Sequence, residues 1–122
     1  MSAEELTKRI SELIYEKKGN DVKLMNLNGV TTIADYFLIC SADSDTQVKA
    51  ISDHIDKTLK DEGVKLWHRE GYIGLNWVLL DYVDVVVHVF KPDTRQYYAL
   101  EKLWGDAEIT ELTDPLLVKR KK

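Results

Sequence analysis

The apolar positions change period along the chain, and the changes mark out its elements. Leu6, Ile10, Leu13 and Ile14 recur at helical spacing behind Ser2, with Glu5 three residues on. That is a capping-box spacing, so a first helix starts at Ser2 and stops at Lys17-Lys18-Gly19. Asp21 to Leu27 then reads as a strand and Asn28-Gly29 as a type I′ hairpin turn, followed by a more apolar strand from Thr31 to Ala42. Ser44 and Gln47 repeat the capping spacing ahead of a long helix to Glu62, whose apolar stripe is Val48, Ile51, Ile55 and Leu59. Gly63 is its stop.

Three further strands follow: Val64 to Glu70, Trp77 to Tyr82, and Val85 to Phe90, with Asp93 and Gln96 opening a last helix. The run Val85-Val-Val-His-Val-Phe90 is apolar almost throughout, which a strand covered on both faces shows and a half-solvated one does not. Helices therefore lie on the sheet. The expected fold is α/β or α+β: a mixed five-stranded sheet flanked by helices, with the central helix as a crossover between parallel neighbours. Residues 1–105 form one domain in this reading, and 106–122, with Asp114-Pro115 and a basic end, form a weakly ordered tail.

At 122 residues and 44% hydrophobic content the chain suits one domain with a real core. Four of its 17 basic residues are Lys119, Arg120, Lys121 and Lys122, which leaves 13 against 21 acidic ones in the body. An acidic body argues against nucleic acid as the main partner and suits a basic protein surface; the tail allows only incidental RNA contact. The acidic start lacks the build of a secretory or transit leader, and no apolar run approaches the ~20 residues of a membrane span. A soluble, cytoplasmic protein with no membrane partner is expected. Cys40, the single cysteine, lies in an apolar strand and reads as a small buried hydrophobe.

Candidate chemistry concentrates after residue 76. Asp81 and Asp84 near a strand junction, with Asp35 as a third carboxylate, suggest the metal site of a nucleotidyltransferase-like enzyme. That chemistry also needs a Gly-rich phosphate turn and an Asp-x-Asp or Asp-x-Glu on one strand face, and the chain has neither. Asp81 and Asp84 point to opposite faces of a continuous strand, so a shared metal requires a turn between them. His88 has a carboxylate within reach but no placed nucleophile, and the histidines lack metal-motif spacing. Neither a metal nor a cofactor is expected.

The aromatics carry more. Tyr97, Leu100, Leu103 and Trp104 share one helical arc that should pack on the sheet, whereas Arg95, Tyr98 and Lys102 lie on the exposed arc. Exposed Tyr beside Arg is typical of interface hot spots, and Trp77, following the Gly71-Tyr-Ile-Gly74 connection, suits either core or anchor.

Trp77-Val-Leu-Leu-Asp81, Asp84-Val-Val-Val-His88-Val-Phe90 and Arg95-Gln-Tyr-Tyr98-Ala-Leu-Glu101-Lys-Leu-Trp104, with Ile33-Ala-Asp35-Tyr-Phe-Leu-Ile-Cys40-Ser upstream, closely resemble the ribosomal silencing factor (Iojap) family. The resemblance spans about residues 3 to 105. It implies a nucleotidyltransferase-like fold without catalysis. It also implies a cytoplasmic translation repressor of nutrient-limited, stationary-phase cells. Such a factor binds the large ribosomal subunit through the ribosomal protein numbered fourteen and blocks small-subunit joining. Trp77, Asp81, His88, Arg95, Tyr98, Glu101 and Trp104 occupy the family's signature positions. The expected contacts are Glu70, Trp77, Asp81 and Tyr98, with carboxylates facing a basic ribosomal surface. A homodimer burying the same apolar face is a further reading, in competition with the ribosome. Two departures stand out. Leu75-Asn76 replaces a small residue and an acid, and Val83 replaces a glycine, which predicts a bulge or a continuous strand because valine avoids positive φ.

Overall fold

The computed structural model describes residues 1–113. Its order is α1 (Ala3–Glu16), β1 (Asn20–Asn26), β2 (Tyr36–Ser41), α2 (Asp45–Asp61), β3 (His68–Glu70), β4 (Trp77–Asp81), β5 (Val85–Phe90), α3 (Pro92–Tyr98), α4 (Leu100–Leu103) and β6 (Glu108–Glu111). Two of the expected caps form; Asp93, expected to open the last helix, lies inside α3, whose N-cap Lys91 makes no side-chain capping bond. Ser2 Oγ accepts from the Glu5 N–H at 3.1 Å, and Ser44 Oγ from the Gln47 N–H at 3.2 Å. Gln47 does more than close the cap. Its Oε1 accepts from the Asp43 N–H, and its Nε2 donates to the carbonyls of Lys17 and Lys18, tying the start of α2 to the end of α1.

The sheet order is β3-β4-β5-β2-β1-β6. β2 and β5 run parallel, and the other neighbours are antiparallel, so α2 and the β3–β4 hairpin together make the crossover the sequence predicts. Six strands form rather than five. Glu108–Glu111, which the sequence assigns to the tail, adds antiparallel to β1 with Met25 opposite Ile109. The expected Asp114-Pro115 break and the basic end lie outside the described residues.

Three local expectations are corrected. Asn26 pairs with Tyr36, so a nine-residue loop replaces the two-residue hairpin. Leu27 accepts from the Val30 N–H, and Gly29 alone supplies a positive φ of 80°, as a type II turn needs, whereas type I′ requires it at Asn28 as well. Of the stretch from Val64, only His68–Glu70 pairs as strand, because Val64 and Leu66 turn into the α2 side of the core. Between β4 and β5, Val83 adopts φ 74° in a tight turn, not a bulge or a continuous strand. The Asp81 carboxylate holds that turn by accepting from the Val83 N–H at 2.7 Å.

The two faces of the sheet are closed differently. Leu38, Cys40, Val78, Leu80, Val85, Val87 and Val89 meet α1 and α2 in an aliphatic core. Met25, Phe37, Ile39, Val86 and Phe90 on the other face are covered by Leu100, Ala107 and half-buried Trp77, Leu79 and Trp104. β5 is buried along its whole length, as its valine run predicts. Cys40 is fully buried and its thiol is pushed up to about 12 by loss of solvent, an inert state.

Candidate functional site

Strand parity and register assemble the second face. Trp77, Leu79 and Asp81 alternate along β4 on one side. Leu79 stands between Glu70 of β3 and His88 of β5, Asp81 between His68 and Val86, and Trp77 beside Phe90. Glu70, Trp77 and Asp81, three of the contacts expected from the resemblance, thus share one face. Tyr98 at the end of α3 joins them, its ring 4.8 Å from that of Trp77.

Trp77 is held from several sides. Its ring stacks on Phe90 at 4.8 Å and 24°, and its indole N–H donates to His88 Nδ1 at 3.0 Å. A tryptophan nitrogen only donates, so His88 accepts there and carries its proton on Nε2, which has no hydrogen-bond partner among the described residues. The His88 ring lies edge-on to Phe37 at 4.5 Å. Burial depresses its pKa to about 3, because a charged imidazole has no solvent there. His88 is therefore a neutral acceptor that fixes the tilt of Trp77. Backbone geometry fixes the approach: Gly71 sits at φ 92°, and a Cβ on it would overlap the Trp77 carbonyl oxygen. Leu75 takes φ 57° in the same connection.

The last-helix signature plays a different part from the one its periodicity suggests. Ala99 at φ 46° breaks the helix into α3 and α4, so the single arc does not exist. Tyr97 and Leu103, expected on the sheet, are exposed at 83% and 65%. Arg95, expected outside, is buried. Its guanidinium donates to the Asp21 carbonyl at 2.6 Å, Ser41 Oγ at 2.9 Å and the Glu101 carboxylate at 3.2 Å. Arg95 and Glu101 thus clamp α3 and α4 to β1 and β2. Trp104 stands edge-on to Phe37 at 5.2 Å. His88, Arg95, Glu101 and Trp104 support the surface on which Trp77 and Tyr98, 49% exposed, are presented.

Asp81, Asp84 and Asp35 hold the turns around β4, β5 and β2. Asp81 accepts from the turn it precedes, and the Asp84 carbonyl accepts from the Asp35 and Tyr36 N–H groups at 2.8 and 3.1 Å. Among the described residues no three His, Cys, Asp or Glu side chains cluster as a metal site, and no helix is long and apolar enough to cross a membrane. Leu79, half-buried at the centre of the face, was missed in the sequence, although the alternation Trp77-x-Leu79-x-Asp81 marks it.

The family model described as ribosomal silencing factor during starvation matches residues 1–122. The chain belongs to this family. It is 46% identical over 112 residues to the ribosomal silencing factor of Halalkalibacterium halodurans, covering 92% of this chain and 96% of that one. A crystal structure of a Chromobacterium violaceum protein superposes with a TM-score of 0.83 at 36% identity, covering 86% of this chain and 88% of the other. The mouse protein named mitochondrial assembly of ribosomal large subunit protein 1 is 30% identical over 75% of this chain and 42% of its own length. Ribosomal silencing is thus the family's function. Within the silencing-factor fold, the aromatic face leaves Trp77, Leu79 and Trp104 only partly buried.

Proposed function

We propose that this silencing factor is a non-catalytic cytoplasmic docking protein. Its aromatic face binds the large ribosomal subunit at the ribosomal protein numbered fourteen, and its body sterically blocks joining of the small subunit under nutrient limitation. The observation that carries the reading is the Trp77–Tyr98 pair, partly wet yet rigidly held by Phe90 and His88. Immobilised aromatic anchors lose little side-chain entropy on binding and are where interface energy concentrates. Glu70 and Asp81 at the rim suit a basic ribosomal surface and steer approach more than they add affinity. The name of the mouse relative, which concerns the large subunit, supports the same partner. Silencing by occlusion needs no reaction at the site.

Sedimentation of the purified protein with separated ribosomal subunits tests this. Cosedimentation with the large subunit alone, followed by failed joining when the small subunit is added, is the expected result. Trp77→Ala should weaken binding by about 2 kcal/mol or more. Undiminished binding of that variant removes the anchor role, and binding to neither subunit removes the proposal. Self-association through the same face would show as a dimer that the large subunit dissociates.

A further inference from the structure

Trp67, the third tryptophan, is 71% exposed and belongs to neither core cluster. It lies just before β3, beside Asp56 and Lys60 of α2, with its ring 5.9 Å from that of His68. Its backbone is fixed by the Trp67 N–H donating to the Asp81 carbonyl at 2.9 Å. There it lines a cleft of about 780 Å³ with Asp56, Lys60, Lys65, His68 and Arg69. The balance of charge is reversed from that of the molecule. Lys60 and Lys65 form no ion pair among the described residues, and Asp56, the cleft's acid, is already matched by Arg69 at 3.4 Å. Glu62 at the nearby end of α2 is engaged by Arg9 at 2.6 Å.

We propose that this cleft binds an unpaired nucleotide of single-stranded RNA, with the base stacked on Trp67 and the phosphates held by Lys60 and Lys65. An exposed flat ring beside unpaired cations is the basic unit of sequence-tolerant single-strand recognition. The volume accommodates a ligand of nucleotide size. An acidic peptide fits less well, because strand addition needs a long edge and β3 offers three residues. The site includes none of the proposed docking residues Glu70, Trp77, Asp81 and Tyr98. It refines what the overall acidity suggests: the body repels nucleic acid on average and attracts it at one place.

The test is the anisotropy of a labelled short oligoadenylate titrated with the full chain at low salt. Lys119, Arg120, Lys121 and Lys122 are replaced by Gln throughout, to remove the tail's contribution. Saturable binding is expected, weakened roughly tenfold by Trp67→Ala, as loss of one stacked base implies. Lys60→Gln with Lys65→Gln should lower the salt dependence by about two phosphate contacts. Trp77→Ala should leave oligoadenylate binding unchanged, so failure here and failure of subunit docking are separate results. No binding at low salt, or equal binding by Trp67→Ala, overturns the proposal. So does Trp67-dependent binding of polyglutamate as tight as that of RNA.

Discussion

The two faces of this sheet use hydrophobic residues in opposite ways. On the helical face, α1 and α2 seal an aliphatic layer in which Ile10, Leu13, Leu38, Ile51, Ile55 and Leu80 have no exposure. On the other, two helices of seven and four residues cover part of a surface rich in rings, and Trp77, Leu79 and Trp104 stay half wet. Aliphatic packing that is complete supplies stability; aromatic packing that is rigid but incomplete supplies a surface with binding energy still to be realised. The docking proposed above needs both, since the second face must be held in shape by something other than its partner.

Substitution across the two faces should separate these roles. Ile51→Ala removes a fully buried side chain from the sealed face and should cost about 2–5 kcal/mol of unfolding free energy, with docking lost only as the protein unfolds. Leu79→Ala on the open face should cost less than about 1.5 kcal/mol, because that side chain is already partly solvated, yet weaken large-subunit binding. Chemical denaturation paired with cosedimentation reads both. Equal stability losses would show that the open face is as much core as the sealed one.

His88 allows a sharper break, by pH. Its pKa is near 6.5 when unfolded and about 3 in the fold, so below pH 6.5 the unfolded state takes up a proton that the folded state refuses. The neutral-histidine contribution is complete above that pH and is lost as pH falls through the window from 6.5 toward 3, by up to about 1.4 kcal/mol per pH unit. A protonated ring has no acceptor for the Trp77 indole, so the folded protein keeps that bond until the ring takes up a proton near pH 3. His88→Gln keeps an acceptor without titrating there; denaturation midpoints between pH 7 and 5 should fall more steeply for the histidine protein. Parallel curves would remove His88 from the linkage.

How much of this was legible follows from how local each signal is. Ser2 and Ser44 announce their helices because a cap acts on residues three positions away, and the valine run of β5 shows its double burial directly. A parallel pair followed from the central helix, but that it joins β2 to β5 depends on the β3–β4 hairpin in between. β6 was invisible, since Glu-Ile-Thr-Glu has one large apolar residue and is recruited by backbone pairing with β1. Arg95 read as exposed because its partners Asp21 and Ser41 lie far back in the chain and the break at Ala99 has no glycine to announce it. For the site, Trp77 and Tyr98 stood out singly as residue types, but the bond from Trp77 to His88 depends on strand register.

The smallest expected effect lies at the turn both faces share. Val83 is 57% exposed at φ 74°, a conformation that costs a β-branched residue about 1–2 kcal/mol, while it contributes to neither core cluster. It persists because pairing of β4 with β5 and the Asp81 bond to its own N–H fix the turn from outside. Val83→Gly relieves the strain but gives the unfolded chain more freedom, worth about 0.5–1 kcal/mol in the opposite sense. The net should be a gain of about 0.5–1 kcal/mol, read as a raised denaturation midpoint with unchanged large-subunit binding. If stability falls instead, the turn is not the strained element that its backbone angle indicates. If binding changes while stability rises, Val83 belongs to the docking face, and the boundary of that face moves from Asp81 out to the turn.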